Sequence, residues 1–224
     1  RAGGDGRVFF FFPPPPPPPR GLVVGVDASP GMLVEARRAR PDLPLAAARA
    51  IDLPFRDGSF DLVVAACVIA HFTKVDTALF DLRRVLRPGG RIAVSAWAGS
   101  LDELQTTWRG LVAEVVPMDL LDGAIATALP WHDRFRRRGA LEEALIDEGF
   151  RHVRVEEREY RFRYGIDEYV DGLAALATGR FVRSMLGEER WGAFLERVRA
   201  TFRERFADPL NDFRKVLLGV GTKT

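Results

Sequence analysis

Between residues 21 and 97 the chain alternates short apolar runs with amphipathic segments, and this alternation restricts the folds open to it. GLVVGVD (21–27) reads as a buried strand, and FDLVVAACVI (60–69) is apolar almost throughout, as in a strand covered on both faces. LPLAAA is a weaker strand candidate, and RIAVSAW is another buried strand, entered through a tight turn at RPGG. Strands that alternate with helices predict βαβ units and a parallel sheet.

Two helices are predicted between these strands. In SPGMLVEARRAR, Ser29 stands at the N-cap position and Pro30 at the first helical position. Residues 74–86 form the second helix, because their apolar side chains fall on one stripe at helical spacing. That stripe consists of Val75, Ala78, Leu79, Leu82, Val85 and Leu86.

After residue 100 the pattern changes. Residues 101–138 read as mixed helix and loop, with PWHDRFRRR as an exposed basic bend. GALEEALIDEGF predicts a short helix that stops at Gly149, and HVRVEEREYRFRY predicts a half-exposed strand. Residues 167–207 are predicted to be helical, and FRKVLLGVG a final strand. The apolar stripes of this helical region comprise Leu173, Leu176, Trp191, Phe194, Leu195, Val198 and Phe202.

Composition narrows the function classes. The 224 residues carry 33 basic and 31 acidic side chains, so no charge excess predicts nucleic-acid binding. The single cysteine excludes an internal disulfide and favours a reducing compartment. Three scattered histidines predict no metal site. No apolar run approaches the roughly 20 residues of a membrane span. The sequence shows no signal peptide, although it begins at Arg1, so a cytoplasmic location is expected.

Three segments resemble, in order, the class I S-adenosylmethionine-dependent methyltransferases: VVGVDASPGMLVEARR, LPFRDGSFDLVVAACVIAHF and LRRVLRPGGRIAVSAW. The resemblance is strongest to the small-molecule branch related to the ubiquinone/menaquinone C-methyltransferases. It is strong from Val23 to Trp97 and resumes at RRRGALEEALIDEGFRHVRV. It implies a Rossmann-like α/β fold, with a mostly parallel sheet, helices on both faces, an antiparallel last strand and helical lid insertions. It also implies S-adenosylmethionine as cofactor and in-line methyl transfer to a small-molecule acceptor.

The resemblance divides a single domain into parts. Residues 21–100 would form the cofactor-binding core, and 101–140 with 167–207 the helical substrate lid. Residues 141–166 and 208–224 would add the C-terminal strands, while 1–20 form an aberrant N-terminal segment. Four aromatic residues in the lid either line the acceptor site or pack in a core: Trp108, Trp131, Tyr169 and Trp191.

The same resemblance assigns candidate site residues. Asp27 ends a strand and would accept hydrogen bonds from the ribose hydroxyls, or else its charge faces the following helix N-terminus. Ala28 and Met32 would line the adenine site, although Met32 also suits a helix packed on the sheet. Cys67 lies where, in the family, backbone carbonyls face the methionine part of the cofactor. Its thiol is expected to be a small core side chain rather than a nucleophile. His71 would orient or deprotonate the acceptor, or simply hydrogen-bond a loop.

One departure from the family concerns the adenine. The family places an acid four residues before the leucine of Leu-Pro-Phe, where this chain has Arg49. Arginine is only a donor and cannot accept from the adenine amino group. The adenine would then be held mainly by backbone groups around Ala50 and Ile51.

The other departure is the run of four phenylalanines and seven prolines from Phe9 to Pro19. It replaces the glycine-rich turn that in the family lets the backbone approach the methionine carboxylate. Phe9–Phe12 could extend a strand begun at Val8, and the prolines could return the chain as a polyproline II rod. Phenylalanine codons are rich in thymine and proline codons in cytosine, so a run of T nucleotides followed by a run of C nucleotides would also be translated into this segment. A sequence artefact is therefore one interpretation. A docking site for an SH3- or WW-like partner is another. A non-catalytic methyltransferase-like scaffold and a nicotinamide-dependent oxidoreductase stay open as alternatives.

Overall fold

The computed structural model describes residues 21–99 and 101–224. The chain divides into two compact units, Arg1–Arg49 and Ala50–Thr224, and each is described by itself. The strand expected at Val8 and the run Phe9–Pro19 lie outside the described residues.

The described part of the first unit is a strand–helix–strand motif. β1 (Gly25–Asp27) and β2 (Leu45–Ala47) pair in parallel, and α1 (Pro30–Ala39) connects them. Ser29 caps α1, because its Oγ accepts a hydrogen bond from the backbone N–H of Met32 at 3.4 Å. The predicted strands, helix and cap are thus confirmed.

Burial in this unit differs from the prediction. β1 was expected to be buried, but Val26 is exposed, and α1 contains no buried residue. Within the described residues of the unit, β1 has one neighbouring strand and one helix. These elements cannot cover both of its faces.

The described part of the second unit holds a four-stranded sheet in the order β3–β4–β6–β5. β4 is parallel to β3 and antiparallel to β6, and β6 is antiparallel to β5. The last strand, β6, is therefore antiparallel to both of its neighbours, as the family resemblance implies. The strands are β3 (Phe60–Ala66), β4 (Leu86–Trp97), β5 (Phe150–Tyr164) and β6 (Leu210–Lys223).

Helices connect these strands. A short 3₁₀ helix, Ile69–His71, follows β3, and the other helices are numbered along the chain. They are α2 (Val75–Val85), α3 (Glu103–Ala113), α4 (Met118–Ala128), α5 (His132–Phe135), α6 (Arg138–Asp147), α7 (Ile166–Ala175), α8 (Ala177–Leu186) and α9 (Glu188–Arg205). Helix α6 is followed by Gly149, whose φ of +90° is a backbone angle that glycine adopts without steric cost. This conformation fits the predicted role of Gly149 as the residue that ends the helix.

The predicted turn at RPGG is wrong. These residues belong to β4, which starts at Leu86 directly after α2. Phe60 lies opposite Leu86 and Leu62 opposite Arg91, so β4 carries an irregularity where it has more residues than its partner. Gly89, at φ +76°, accommodates this irregularity.

β3 is covered on one face only by the residues that the structure describes. Ala65 is buried, but Leu62 is 47 % exposed and Val64 is 63 % exposed. Side chains alternate between the two faces of a strand, so Leu62 and Val64 share the uncovered face. The expected coverage on both faces is therefore absent among the described residues.

Helices α3, α4 and α7–α9 enclose a hydrophobic core of their own. Trp108, Tyr169 and Trp191 are buried in it, so they pack in a core rather than line an acceptor site. Leu176, expected on the apolar stripe, is exposed between α7 and α8. The helical nature of this region is confirmed.

Candidate functional site

In the first unit, Asp27 occupies the carboxyl end of β1. Its Oδ1 accepts a hydrogen bond from the backbone N–H of Ser29 at 2.7 Å, and its carbonyl oxygen accepts from Ala48 at 3.1 Å. The half-buried carboxylate therefore lies at the N-terminus of α1, where the helix dipole favours negative charge. A carboxylate has about four lone-pair directions, so the bond from Ser29 leaves it able to accept from a ribose hydroxyl.

The other predicted residues of this unit are exposed. Met32 is 58 % exposed, so it does not pack as a core residue of α1. Ala28, between β1 and the Ser29 cap, is also exposed, as is Arg49 near the end of the unit. Their roles around an adenine stay predictions.

In the second unit, the predicted residues Ala50 and Ile51 are half-buried and precede a tightly held loop. Asp81 of α2 accepts the backbone N–H of Leu53 on Oδ2 and the Nε of Arg84 on Oδ1, each at 2.6 Å. Arg84 also donates to the carbonyl oxygen of Leu53 at 3.0 Å. Burial opposes ionisation of Asp81, but these hydrogen bonds and the Arg84 charge outweigh it and lower the pKa of that carboxyl.

Cys67 follows β3 with a left-handed backbone, at φ +53°. Its N–H donates to the carbonyl oxygen of Ser95 at 3.1 Å and to Ser95 Oγ at 2.9 Å, and its Sγ lies 3.3 Å from the same hydroxyl oxygen. Cys67 is half-buried and lines a pocket, so it is not the small core side chain that the sequence suggested. Backbone strain of this kind costs about 1–3 kcal/mol and clusters at functional sites.

A very small pocket lies at the carboxyl ends of β3 and β4. His71, the predicted catalytic residue, lies close to it but is exposed at the end of the 3₁₀ helix. The lining includes His132, which the sequence placed in an exposed basic bend. That prediction is wrong, because the segment forms α5, whose Phe135 is buried. The pocket is lined by Cys67, Ile69, Ala70, Ala96, Trp97, His132 and Phe135.

Sequence reasoning missed His132, although a signal was available. Trp131 and Phe135 flank it at a spacing of four residues, which is the spacing of one apolar helix face. In the structure, the backbone N–H of Trp131 donates to the carbonyl oxygen of Ala70 at 3.4 Å. This bond connects the start of α5 to the 3₁₀ helix that carries His71.

The electrostatics of His132 favour the neutral imidazole. Burial lowers its pKa from the ordinary histidine value, and the nearby Arg136 and His71 lower it further, whereas Asp133 opposes them. Arg136 Nη1 lies 3.5 Å from His132 Nε2. The guanidinium is held in place because its Nε donates to the carbonyl oxygen of Gly99 at 2.7 Å, and its Nη2 donates to the same oxygen.

Residues 21–99 and 101–224 contain neither a metal site nor a membrane-spanning helix. No group of three or more His, Cys, Asp or Glu side chains there is arranged to hold a metal ion. No helix there combines the length and the apolar character that a bilayer span requires.

Comparisons with known proteins place these features in a family. The family described as "Methyltransferase domain" matches residues 3–94. A malonyl-[acyl-carrier protein] O-methyltransferase of Geobacter sulfurreducens is 31 % identical over 209 residues, which cover 88 % of this chain and 73 % of that protein. A demethylmenaquinone methyltransferase of Beutenbergia cavernae is 42 % identical over 76 residues, or 34 % of this chain and 32 % of that protein. The match thus spans about a third of the demethylmenaquinone methyltransferase.

Solved structures share the fold of this chain. A Bacillus halodurans protein described as a methyltransferase superposes with a TM-score of 0.54 at 13 % identity, covering 91 % of this chain and 83 % of that one. The YcgJ protein of Bacillus subtilis gives a TM-score of 0.51 at 17 % identity, covering 90 % and 82 %. These likenesses confirm the Rossmann-like α/β fold, and neither alternative function is favoured. The chain belongs to the class I S-adenosylmethionine-dependent methyltransferase family.

Proposed function

We propose that this protein transfers a methyl group from S-adenosylmethionine to a small-molecule acceptor. The observation that carries the proposal is Asp27, a half-buried carboxylate at the carboxyl end of a parallel strand, in a chain of this family. In open parallel sheets, ligands bind at the carboxyl ends of the strands. Cys67 and His71 follow the carboxyl end of β3, another parallel strand.

The residues that would hold the cofactor can be named. Asp27 would accept hydrogen bonds from the ribose, Ala28 and Met32 would contact the adenine, and backbone groups of Ala50 and Ile51 would replace the missing acid at position 49. When bound, S-adenosylmethionine supplies an electrophilic methyl group on a positively charged sulfur. The contribution of the protein is then chiefly to fix the acceptor in line with that group.

Asp27→Asn tests the cofactor assignment. Asparagine keeps the shape and an oxygen that can accept from Ser29, but it removes the negative charge and part of the acceptor capacity. A hydrogen bond to a charged group contributes about 1.5–3 kcal/mol, so affinity for S-adenosylmethionine should fall roughly 10- to 150-fold in calorimetric titration.

The matched control for that experiment is Asp42→Asn. Asp42 lies in the same unit and pairs with Arg40 on the surface, with 70 % of its side chain exposed. Its substitution should leave cofactor affinity within about twofold. Equal binding by Asp27→Asn and the unaltered protein would contradict the role of Asp27. Absence of any binding by the unaltered protein would instead favour a non-catalytic scaffold, and a variant with a restored glycine-rich turn would show whether Phe9–Pro19 is the cause.

A further inference from the structure

Strand β5 lies at an edge of the four-stranded sheet. In the part of the chain that the structure describes, β5 pairs with β6 on one side, and no strand pairs with it on the other. The pairing with β6 is regular from Arg154 to Tyr164, whereas a register shift lies between Arg151 and Arg154. A long, regular edge offers unpaired backbone N–H and C=O groups to an added strand.

The second half of β5 is accessible from outside. Val155 is buried, but no residue from Glu156 to Tyr164 is. Helix α6 lies over β6 at the level of Val155, since a Cβ added to its cross-strand neighbour Gly219 would lie 3.2 Å from Leu145. Residues 156–164, named here the β5 edge segment, are therefore free to contact another chain as far as the described residues are concerned.

The charges of the β5 edge segment are separated along its length. Its sequence, EEREYRFRY, contains three glutamates and three arginines, so its net charge is zero. The glutamates all precede Tyr160, and two of the three arginines follow it. Charges on an edge usually keep other strands away. Here, however, a second copy that runs in the opposite direction brings its basic half against the acidic half of the first.

Arg163 and the two glutamates that could meet it or its neighbour are available for such contacts. Arg163 is exposed and makes no ion pair or hydrogen bond with the residues that the structure describes. Glu157 pairs with Lys215 at 3.0 Å and Glu159 with Arg161 at 3.3 Å, both on the surface. A carboxylate has about four lone-pair directions, so each glutamate can accept from a further cation.

We propose that β5 pairs antiparallel with β5 of a second copy of this chain, across a two-fold axis that passes beside Tyr160. In this register Glu159 lies opposite the partner's Arg161, and Glu157 lies opposite the partner's Arg163. The two-fold symmetry repeats each of these pairs. Because side chains alternate along a strand, all of these ion pairs share one face of the joined sheet. The proposal does not depend on the methyl-transfer function.

The opposite face of the joined sheet is complementary as well. Tyr160 lies opposite the partner's Tyr160, and Arg158 lies opposite the partner's Phe162. Aromatic cross-strand pairs and a cation near an aromatic ring both stabilise such contacts. Glu156 lies opposite the partner's Tyr164, whose hydroxyl can donate a hydrogen bond to the carboxylate.

The charge pattern selects this register among those that the symmetry allows. A two-fold axis between antiparallel strands passes between one residue and its own copy. An axis at Glu159 or at Arg161 would place two identical charges opposite each other, and an axis at Phe162 would place Arg161 opposite the partner's Arg163. Every position from Glu156 to Arg163 other than Tyr160 has such a conflict. Like charges directly opposite each other are destabilising, so the register is fixed.

Sedimentation equilibrium of the full chain provides the first test. The mass of the unaltered protein should rise with concentration, in the micromolar range, to twice the mass of one chain. Added salt should weaken the association, because it screens exposed charges. The mass of one chain at every concentration would overturn the proposal.

Two double variants test the ion pairs. Glu157→Arg with Glu159→Arg makes one face of the edge basic, and Arg161→Glu with Arg163→Glu makes it acidic. Each variant should dimerise at least about tenfold more weakly, because attraction between opposite residues becomes repulsion. An equimolar mixture should associate again, because every pair across the axis is then of opposite charge. Thermal melts show that each variant is folded. Dimers of unchanged affinity, or a mixture that stays monomeric, would contradict the proposed pairs.

A cysteine variant tests the register without charge reversal. Residues directly opposite each other in an antiparallel pair have Cα atoms about 4.5–5.5 Å apart, a distance that a disulfide spans. Tyr160→Cys should therefore form a covalent dimer on oxidation, seen on a non-reducing gel.

The matched control for the cysteine variant is Arg158→Cys, at an exposed position on the same face of β5. Its copy would lie four residues away along the partner strand, roughly 14 Å, which is too far for a disulfide. The unaltered protein reports any cross-linking through Cys67, its own cysteine. No covalent dimer of Tyr160→Cys, or equal amounts for both variants, would overturn the register.

Discussion

Asp81 shows how a single buried carboxylate can organise a loop. It accepts from the backbone of Leu53 and from Arg84, which also reaches the loop carbonyls of Leu53 and Phe55. The part of the chain that carries the Leu-Pro-Phe motif is therefore attached to α2 by polar contacts as well as by packing of the buried Leu53.

Asp81→Asn should lower the free energy of unfolding by about 1.5–3 kcal/mol in urea denaturation at neutral pH, because hydrogen bonds to a charged, buried acceptor are lost. Since the folded-state pKa of Asp81 is lowered, its contribution is present above the unfolded-state pKa and is lost as the pH falls. The control is Asp57→Asn, because Asp57 is the exposed partner of the same arginine and should contribute under about 1 kcal/mol. Equal losses for the two variants would contradict this account.

Asp212 of β6 has the opposite pH dependence. Its side chain is 2 % exposed, and Oδ1 has no hydrogen-bond partner among the described residues. Burial raises the pKa of this carboxyl, the nearby Asp102 raises it further, and Arg214 only partly offsets them. The native state therefore holds a proton that the unfolded chain has lost, and stability falls as the pH rises through that interval.

Asp212→Asn should remove this decline. Urea denaturation from pH about 4 to about 7 should show the free energy of unfolding falling less with pH in the variant than in the unaltered protein. The exposed Asp122, paired with Arg109, provides the control Asp122→Asn, whose pH dependence should match the unaltered protein. A decline of the same size in Asp212→Asn would assign it to another group.

At the scale of elements, the junction of α7 and α8 depends on one glycine. A Cβ added at Gly179 would lie 2.6 Å from the carbonyl oxygen of Ala174 and closer still to that of Leu173. These are backbone atoms, so the clash cannot be relieved by a rotamer change. The missing side chain lets the two helices meet at the edge of the helical core.

Gly179→Ala should therefore destabilise the protein by about 1–3 kcal/mol or more, as overpacking does, with a lower midpoint in thermal or urea unfolding. In Gly192→Ala, at an exposed position in the second turn of α9, the added Cβ meets nothing within 4 Å, so the variant should be more stable by up to about 1 kcal/mol through helix propensity. Similar shifts in both variants would exclude the close approach as the cause.

Sequence periodicity predicted those elements whose pattern is local. The Ser29 cap, the apolar stripe of α2 and the alternation of β5 all come from neighbouring residues, and all are confirmed. RPGG was misjudged because these residues lie within β4, between Leu86, which pairs with Phe60, and Arg91, which pairs with Leu62.

The same limit applies to the site. Trp108 and Trp191 suit a lid or a core equally in sequence, and packing between distant helices decides for the core. The burial of His132 depends on the carboxyl ends of β3 and β4, which lie far from it in sequence. Asp27 and Cys67 were found because a family motif marks them, while their roles as ligands stay predictions.

At the scale of the whole molecule, β6 connects two strands of the sheet that lie far apart in the sequence. It is the last strand in sequence, yet it lies between β4 and β5 and pairs with both. Lys223 at its end donates to the carbonyl oxygens of Arg84 and Leu86, where α2 gives way to β4. During translation, therefore, β4 and β5 have no partner on the sides that pair with β6. The sheet can form completely only after Lys223 has left the ribosome. Nascent chains stalled before that point would expose strand edges to chaperones.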